Sequence, residues 1–215
     1  MSTLNNHVNT LAERVLDQDS DRFLVGIAGA PASGKTTLSA ELARRLNAQG
    51  RPTVVVPMDG FHLDNGILDE RGLRPRKGAP ETFDAPGFLR LVKALKTGDE
   101  VFAPLFDRNR DLAIAGAVAV PASAKVVIVE GNYLMFDEDP WRDLAPLWDL
   151  SVRVDVPLPE LRARLIQRWL SLNYSSAVAT RRAEGNDIPN AKRVVEKALP
   201  CDVELDGQPV PRGQS

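Results

Sequence analysis

A doubly wound α/β fold, with a mainly parallel sheet and helices on both faces, is predicted by two features of this sequence. The first is a set of short apolar runs, at 23–28, 53–58 and 125–129, that do not alternate with polar residues. Strands of that kind are buried on both faces, as in a parallel sheet covered by helices. The second is what separates them. Several of the intervening segments carry apolar residues every three to four positions, the period of a helix. Strands alternating with helices along one chain point to a parallel α/β sheet.

The elements follow in order. Leu4, Val8, Leu11 and Val15 mark an amphipathic N-terminal helix within residues 1–20. The strand at 23–28 runs into a glycine-rich turn. Leu38, Leu42 and Leu46 then line one face of a helix that stops near Gly50, and the second strand follows at 53–58. Residues 64–86 are rich in Gly, Pro and charge and show no period, so a long functional loop is expected there. A helix is expected at 87–96, two short strands within 101–121, a strand at 125–129, a helix at 140–148 and a strand at 150–156. Leu161, Leu165, Trp169 and Leu172 form one stripe of a helix at 159–172. Short helices at 175–184 and 191–197 and a last strand at 203–205 complete the chain.

The bulk properties narrow the function classes. The 215 residues are 43% hydrophobic and 26% charged, as expected for a single globular domain over 1–215. A net charge of −2 argues against a broad electrostatic grip on nucleic acid or an acidic membrane. The one cysteine, Cys201, cannot form an internal disulfide, and no Cys/His cluster suggests zinc. The N-terminus is polar and lacks the apolar core of a signal peptide. The most apolar stretch, 112–124, is broken by Gly116 and Pro121 and is too short to span a bilayer. A cytoplasmic protein without membrane insertion or a nucleic-acid partner is expected. Its oligomeric state stays open.

The strongest motif is Gly29-Ala30-Pro31-Ala32-Ser33-Gly34-Lys35-Thr36, followed by Thr37, which matches GxxxxGK[ST] between a buried strand and a helix. Glycines let backbone N–H groups curl round a phosphate, and the helix dipole points at the same anion. Lys35 adds charge at the β- and γ-phosphates, and Thr36 offers a hydroxyl to Mg²⁺. A phosphate-binding loop (P-loop) for ATP is expected, in a three-layer P-loop NTPase fold. No NKxD motif for guanine and no LSGGQ signature of transporter ATPases is present. A small-molecule kinase is the reading that survives.

Ligands of open α/β sheets sit beyond the carboxyl ends of the strands. There the second strand delivers Asp59 and the strand at 125–129 delivers Glu130. An acceptor hydroxyl must lose its proton as it meets the γ-phosphoryl group. Asp59 is assigned to that hydroxyl and Glu130 to the Mg²⁺ side.

Taken together, "GAPASGKTT", "MDGFHLDN", "RKGAPETFD", "VEGNYL" and "EGNDIPNA" resemble the P-loop kinases of the phosphoribulokinase, uridine kinase and pantothenate kinase group. Within it, the likeness is to bacterial proteins described as fructose transport system kinases or nucleoside/nucleotide kinase-like proteins. The resemblance covers 23–206. It implies transfer of the γ-phosphoryl group of ATP to a hydroxyl of a small metabolite, with a sugar as the leading acceptor. Nucleoside and pantothenate-type acceptors stay open, as does a nucleotide-binding regulatory module without transfer activity. It also implies that Asp59 is the catalytic base, and that Lys35 and Thr36 hold phosphates and Mg²⁺.

The remaining candidates are His62, Tyr133 and residues of the insertion at 64–120 and the lid region at 159–190. His62, three residues after Asp59, either bonds substrate or fixes the carboxylate, or packs against Phe61. Lys77, with Arg74 and Arg76, faces an anionic substrate or pairs with Asp69, Glu70 and Glu81. Asp107 and Arg108 resemble the family's P-x-Y-D-x stretch near the acceptor, with Phe106 in place of tyrosine. Tyr133 is a candidate phenol at the pocket. Arg164 and Arg168, spaced i and i+4, share a helix face and resemble the lid arginines that close over the triphosphate. Asn190, with Asn186, either contacts the nucleotide or caps a turn.

Overall fold

The computed structural model describes residues 3–207. Helix α1 (Thr3–Leu16) buries Val8, Leu11 and Val15, the stripe set by its helical period. Strand β1 (Phe23–Gly29) is buried along its whole length. Helix α2 (Lys35–Ala48) follows the phosphate-loop sequence, and β2 (Thr53–Pro57) ends in a tight 3₁₀ turn, Met58–Phe61.

The segment expected as a long loop holds regular structure. It holds a short helix, α3 (Asn65–Glu70), and two 3₁₀ turns, Arg74–Arg76 and Pro80–Thr82. Side-chain to backbone bonds stabilise it: Gly66 N–H donates to Asp64 Oδ1 and Gly78 N–H to the Thr82 hydroxyl, which itself donates to the Ala79 carbonyl. Such local bonds leave no periodic trace in a sequence.

Helix α4 (Ala85–Leu95) precedes an antiparallel hairpin, β3 (Val101–Asp107) and β4 (Leu112–Val120), which stands apart from the main sheet. The apolar stretch at 112–124 therefore supplies a hairpin strand. Strand β5 (Val126–Gly131) is buried throughout. The helix expected at 140–148 is a 3₁₀ helix, Trp141–Leu147, with Pro146 inside it. Proline has no N–H to give to an α-helical ladder. Strand β6 (Leu150–Asp155) and α5 (Leu158–Ser171) follow. The two short helices expected next are joined: α6 (Ser176–Arg182) passes through a π-helical turn, Ala183–Asp187, into α7 (Ile188–Glu196). Strand β7 (Val203–Asp206) ends the sheet.

The main sheet runs β2-β5-β1-β6-β7 and is parallel throughout. The first strand lies in the middle, with β5 between it and β2. In register, Glu130 lies beside Ile27 of β1 on one side and Pro57 of β2 on the other. The residues that follow these strands emerge on one rim.

Arg22 fixes the root of the hairpin. Its guanidinium donates to the carbonyls of Ala124 at 3.2 Å, Leu95 at 3.2 Å, Asp99 at 2.9 Å and Pro121 at 2.8 Å. Among the described residues, no helix is long and apolar enough to cross a membrane.

Candidate functional site

A cleft of about 1040 Å³ opens over that rim. Its loop wall is made of Pro31, Ala32, Gly34, Lys35, Thr36 and Thr37. The loop turns through left-handed backbone at Ala32 (φ 65°) and Gly34 (φ 99°). Gly34, at the N-terminus of α2, has open space where a Cβ would sit. Gly29 is packed differently: a Cβ there would lie 2.5 Å from Ser33 Oγ. Gly29, Ala30 and the buried Ser33 shape the loop from beneath and are not part of the cleft wall.

Arg164 has a different place from the one expected. It is 7% exposed, and its Nη1 donates to the carbonyls of Ala32 at 3.2 Å and Ser33 at 3.3 Å. Glu160 Oε1 accepts from its Nη2 at 2.5 Å. The residue thus grips the loop's carbonyls from behind and does not line the cleft. Arg168, one turn on, does line it.

The two acids occupy different environments. Glu130 is 5% exposed, and its Oε1 accepts from the Thr36 hydroxyl at 3.2 Å. Burial pushes its carboxyl above the usual range, while nearby Lys35 pulls it back. Asp59 lies in the cleft wall with its Oδ2 3.1 Å from Arg108 Nη2. Arg108 reaches it from the hairpin turn.

His62 Nδ1–H donates to the Asp59 main-chain carbonyl at 2.7 Å. Its ring sits between Phe83 and Phe106, with centroids 4.0 and 4.5 Å away, and not against Phe61 as one reading had it. Burial pushes the imidazole below its ordinary value, against the pull of Asp59.

Lys77 lines the cleft and bonds Asp111 Oδ1 at 2.7 Å and Asn65 Oδ1 at 2.6 Å; it also lies 4.9 Å from the Phe106 ring centroid. Arg74 pairs with Asp69 and Asp111, and Arg76 with Glu81. Asn186 donates to the Lys77 carbonyl at 2.7 Å and accepts from Asn190 at 3.2 Å. Asn186 therefore joins the α6–α7 segment to the 64–86 segment, and Asn190, 3% exposed, holds the Asn186 side chain while bordering the cleft.

Two expected substrate contacts are corrected. Tyr133 is fully buried, its phenol donates to the Gly78 carbonyl at 2.6 Å, and it packs among Phe83, Phe136 and Trp141. Asp107 accepts from the N–H groups of Asn109 and Arg110, so it caps the hairpin turn and leaves the cleft to Arg108. Sequence reasoning missed Asp111, Asn132, Arg181 and Arg182, all of which border the cleft. Asp111 had one signal: a turn between two apolar strands favours Asp in left-handed backbone, and its φ is 55°.

A glycine-containing phosphate loop at the start of a helix, with a lysine, a hydroxyl and a buried acid on the adjacent strand, is the site of a P-loop kinase. The chain belongs to the Phosphoribulokinase / Uridine kinase family, whose model matches residues 24–170, and it is an ATP-dependent phosphotransferase. It is 35% identical over 194 residues to a candidate uridine kinase of Schizosaccharomyces pombe, covering 86% of this chain and 83% of the relative. A solved structure, a candidate fructose transport system kinase from Silicibacter sp. TM1040, is 52% identical, with a TM-score of 0.88 over 95% of this chain and 99% of that one. A pantothenate kinase of Parvibaculum lavamentivorans is 31% identical over 74% of this chain, which spans only 52% of that enzyme.

Proposed function

We propose that the cleft transfers the γ-phosphoryl group of ATP to a hydroxyl of a sugar, in a cytoplasmic setting and without a nucleic-acid partner. One observation carries the transfer. An accessible carboxylate, Asp59, and a phosphate loop line one cleft at the ends of β2 and β1, two places apart in the sheet. The sugar is supported by the relative at 52% identity that covers nearly the whole chain.

In this reading Lys35 and the loop amides hold the β- and γ-phosphate oxygens. Asp59 takes the proton of the acceptor hydroxyl, and Arg108 orients its carboxylate. His62 fixes the turn that carries Asp59, and Lys77 and Arg108 border the acceptor. Arg168, on the lid side over 159–190, faces the charge that spreads in transfer. Arg164 and Asn190 act by holding the loop and the lid in place.

The donor set near the loop suits Mg²⁺. Among the described residues no cluster of three or more His, Cys, Asp or Glu side chains could hold a metal. Thr36 and Glu130, 3.2 Å apart, offer one hydroxyl and one carboxylate, and phosphate oxygens complete such a site. Bound there, the ion would neutralise phosphate charge.

The test is ATP consumption against a panel of hexoses, pentoses, nucleosides and pantothenate, with product mass as the readout. A phosphorylated sugar formed fastest supports the reading; preference for a nucleoside or pantothenate refutes the sugar. In Asp59→Asn, turnover of the best acceptor falls by about 10²- to 10⁴-fold while ATP affinity is kept. Full turnover would remove Asp59 as the base.

A further inference from the structure

The end of β5 carries a polar group that none of the roles above uses. Glu130 turns to Thr36 and Tyr133 turns into the core, and between them Asn132 borders the cleft. Its position follows from register. β5 lies between β2, which leads to Asp59, and β1, which leads to the phosphate loop. Gly131 stands beside Ala28, one residue before the loop begins at Gly29. The residue after Gly131 therefore emerges between the carboxylate and the phosphate loop.

Close packing holds it there. A Cβ on Gly131 would lie 2.4 Å from Met58 Cβ, so β5 presses directly on the residue before Asp59. Asn132 itself is half-buried, and its Oδ1 is shielded from solvent without a hydrogen-bond partner in the protein. The χ2 torsion of asparagine is broad and no hydrogen bond holds this amide, so a half-turn exchanges Oδ1 with Nδ2 and presents the oxygen to the cleft.

We infer that Asn132 is an acceptor-binding residue: its side-chain carbonyl receives a hydrogen bond from a hydroxyl of the acceptor beside the one that meets Asp59. The acceptor class is thus a polyol, in which adjacent hydroxyls serve Asp59 and Asn132 at once. This rests on the reading of the cleft as the place of transfer.

The experiment uses the full chain and the acceptor that the wild type phosphorylates fastest. Asn132→Leu keeps the shape and removes the acceptor oxygen. Its kcat/KM for that acceptor falls by about 10- to 100-fold, while its affinity for a non-hydrolysable ATP analogue stays within about twofold. Deoxy analogues of the acceptor, each lacking one hydroxyl, supply the second readout. One of them costs the wild type a similar factor and costs Asn132→Leu nothing further, a pattern that a structural role does not produce. The inference is overturned if folded Asn132→Leu matches the wild type, if ATP-analogue affinity falls as far as acceptor turnover, or if every deoxy analogue affects both proteins equally. If Asn132→Leu does not fold, Asn132→Asp takes its place: it keeps the oxygens, so the same deoxy analogue must still cost it activity. If the wild type phosphorylates nothing in the panel, the transfer reading itself fails, which is a separate result.

Discussion

Arg164 and Arg168 show how one helical turn separates two jobs. Their spacing places both on one side of α5, yet only Arg168 faces the cleft. Arg164 is buried under the loop, with Ala32 and Ser33 carbonyls on its guanidinium. Holding those carbonyls turns the loop's N–H groups the other way, toward a phosphate. Arg164→Ala therefore raises the KM for ATP by roughly tenfold or more and leaves the acceptor KM near its wild-type value. Steady-state kinetics with each substrate varied in turn checks this; equal effects on both would show general loosening. Asn132 and Tyr133 teach a related lesson. A strand buried on both faces has no alternation to tell which residue beyond its end meets the ligand. The phenol was the more conspicuous group in the sequence, but the register gives the cleft to its neighbour.

The hairpin β3–β4 walls the cleft beside Asp59, on the acceptor side in the proposed reading, and it lies almost backbone to backbone on the turn that carries Asp59. A Cβ at Gly60 would lie 2.3 Å from the Pro104 carbonyl oxygen and 2.6 Å from its carbon. Main chain cannot give way as a flexible side chain can. Gly60→Ala should push the hairpin outward and take Arg108 from Asp59, which raises the acceptor KM by about tenfold and changes ATP-analogue affinity little. Kinetics together with calorimetric titration of the ATP analogue tests this; an unchanged acceptor KM would show that the hairpin does not set the wall. The placement of the phosphate loop, Asp59 and Glu130 was legible in the sequence because a parallel sheet gathers the residues beyond its strand ends on one rim. The clasp at the hairpin tip was not. Asp111 comes from the hairpin tip and Asn65, Arg74 and Lys77 from the 64–86 segment, and only the tertiary approach of hairpin and loop makes them neighbours.

For the whole molecule, the strand order could not be read from the apolar runs, though their parallel, covered character could. Whole-molecule stability should carry the mark of His62. Its folded-state pKa lies below the ordinary value of 6.5 because burial disfavours the imidazolium. As pH falls below about 6.5 the unfolded chain takes up a proton first, so stability is fully present above that value and is lost as pH falls through the folded pKa. Thermal unfolding at pH 7 and pH 5 should therefore show a smaller acid-induced drop in Tm for His62→Phe than for the wild type; parallel drops would rule the residue out as a source. The Arg22 clamp has a wider consequence. It ties the start of β1 to carbonyls on both flanks of the hairpin, Leu95 and Asp99 before it and Pro121 and Ala124 after it, so the strand that leads to the phosphate loop and the hairpin share one fixed seam. The segments beyond that seam are free to vary, as long as Gly60 and the tip clasp still fit. A lineage could exchange the hairpin and the 64–86 segment as a cassette and take on a new acceptor while inheriting its phosphate chemistry intact.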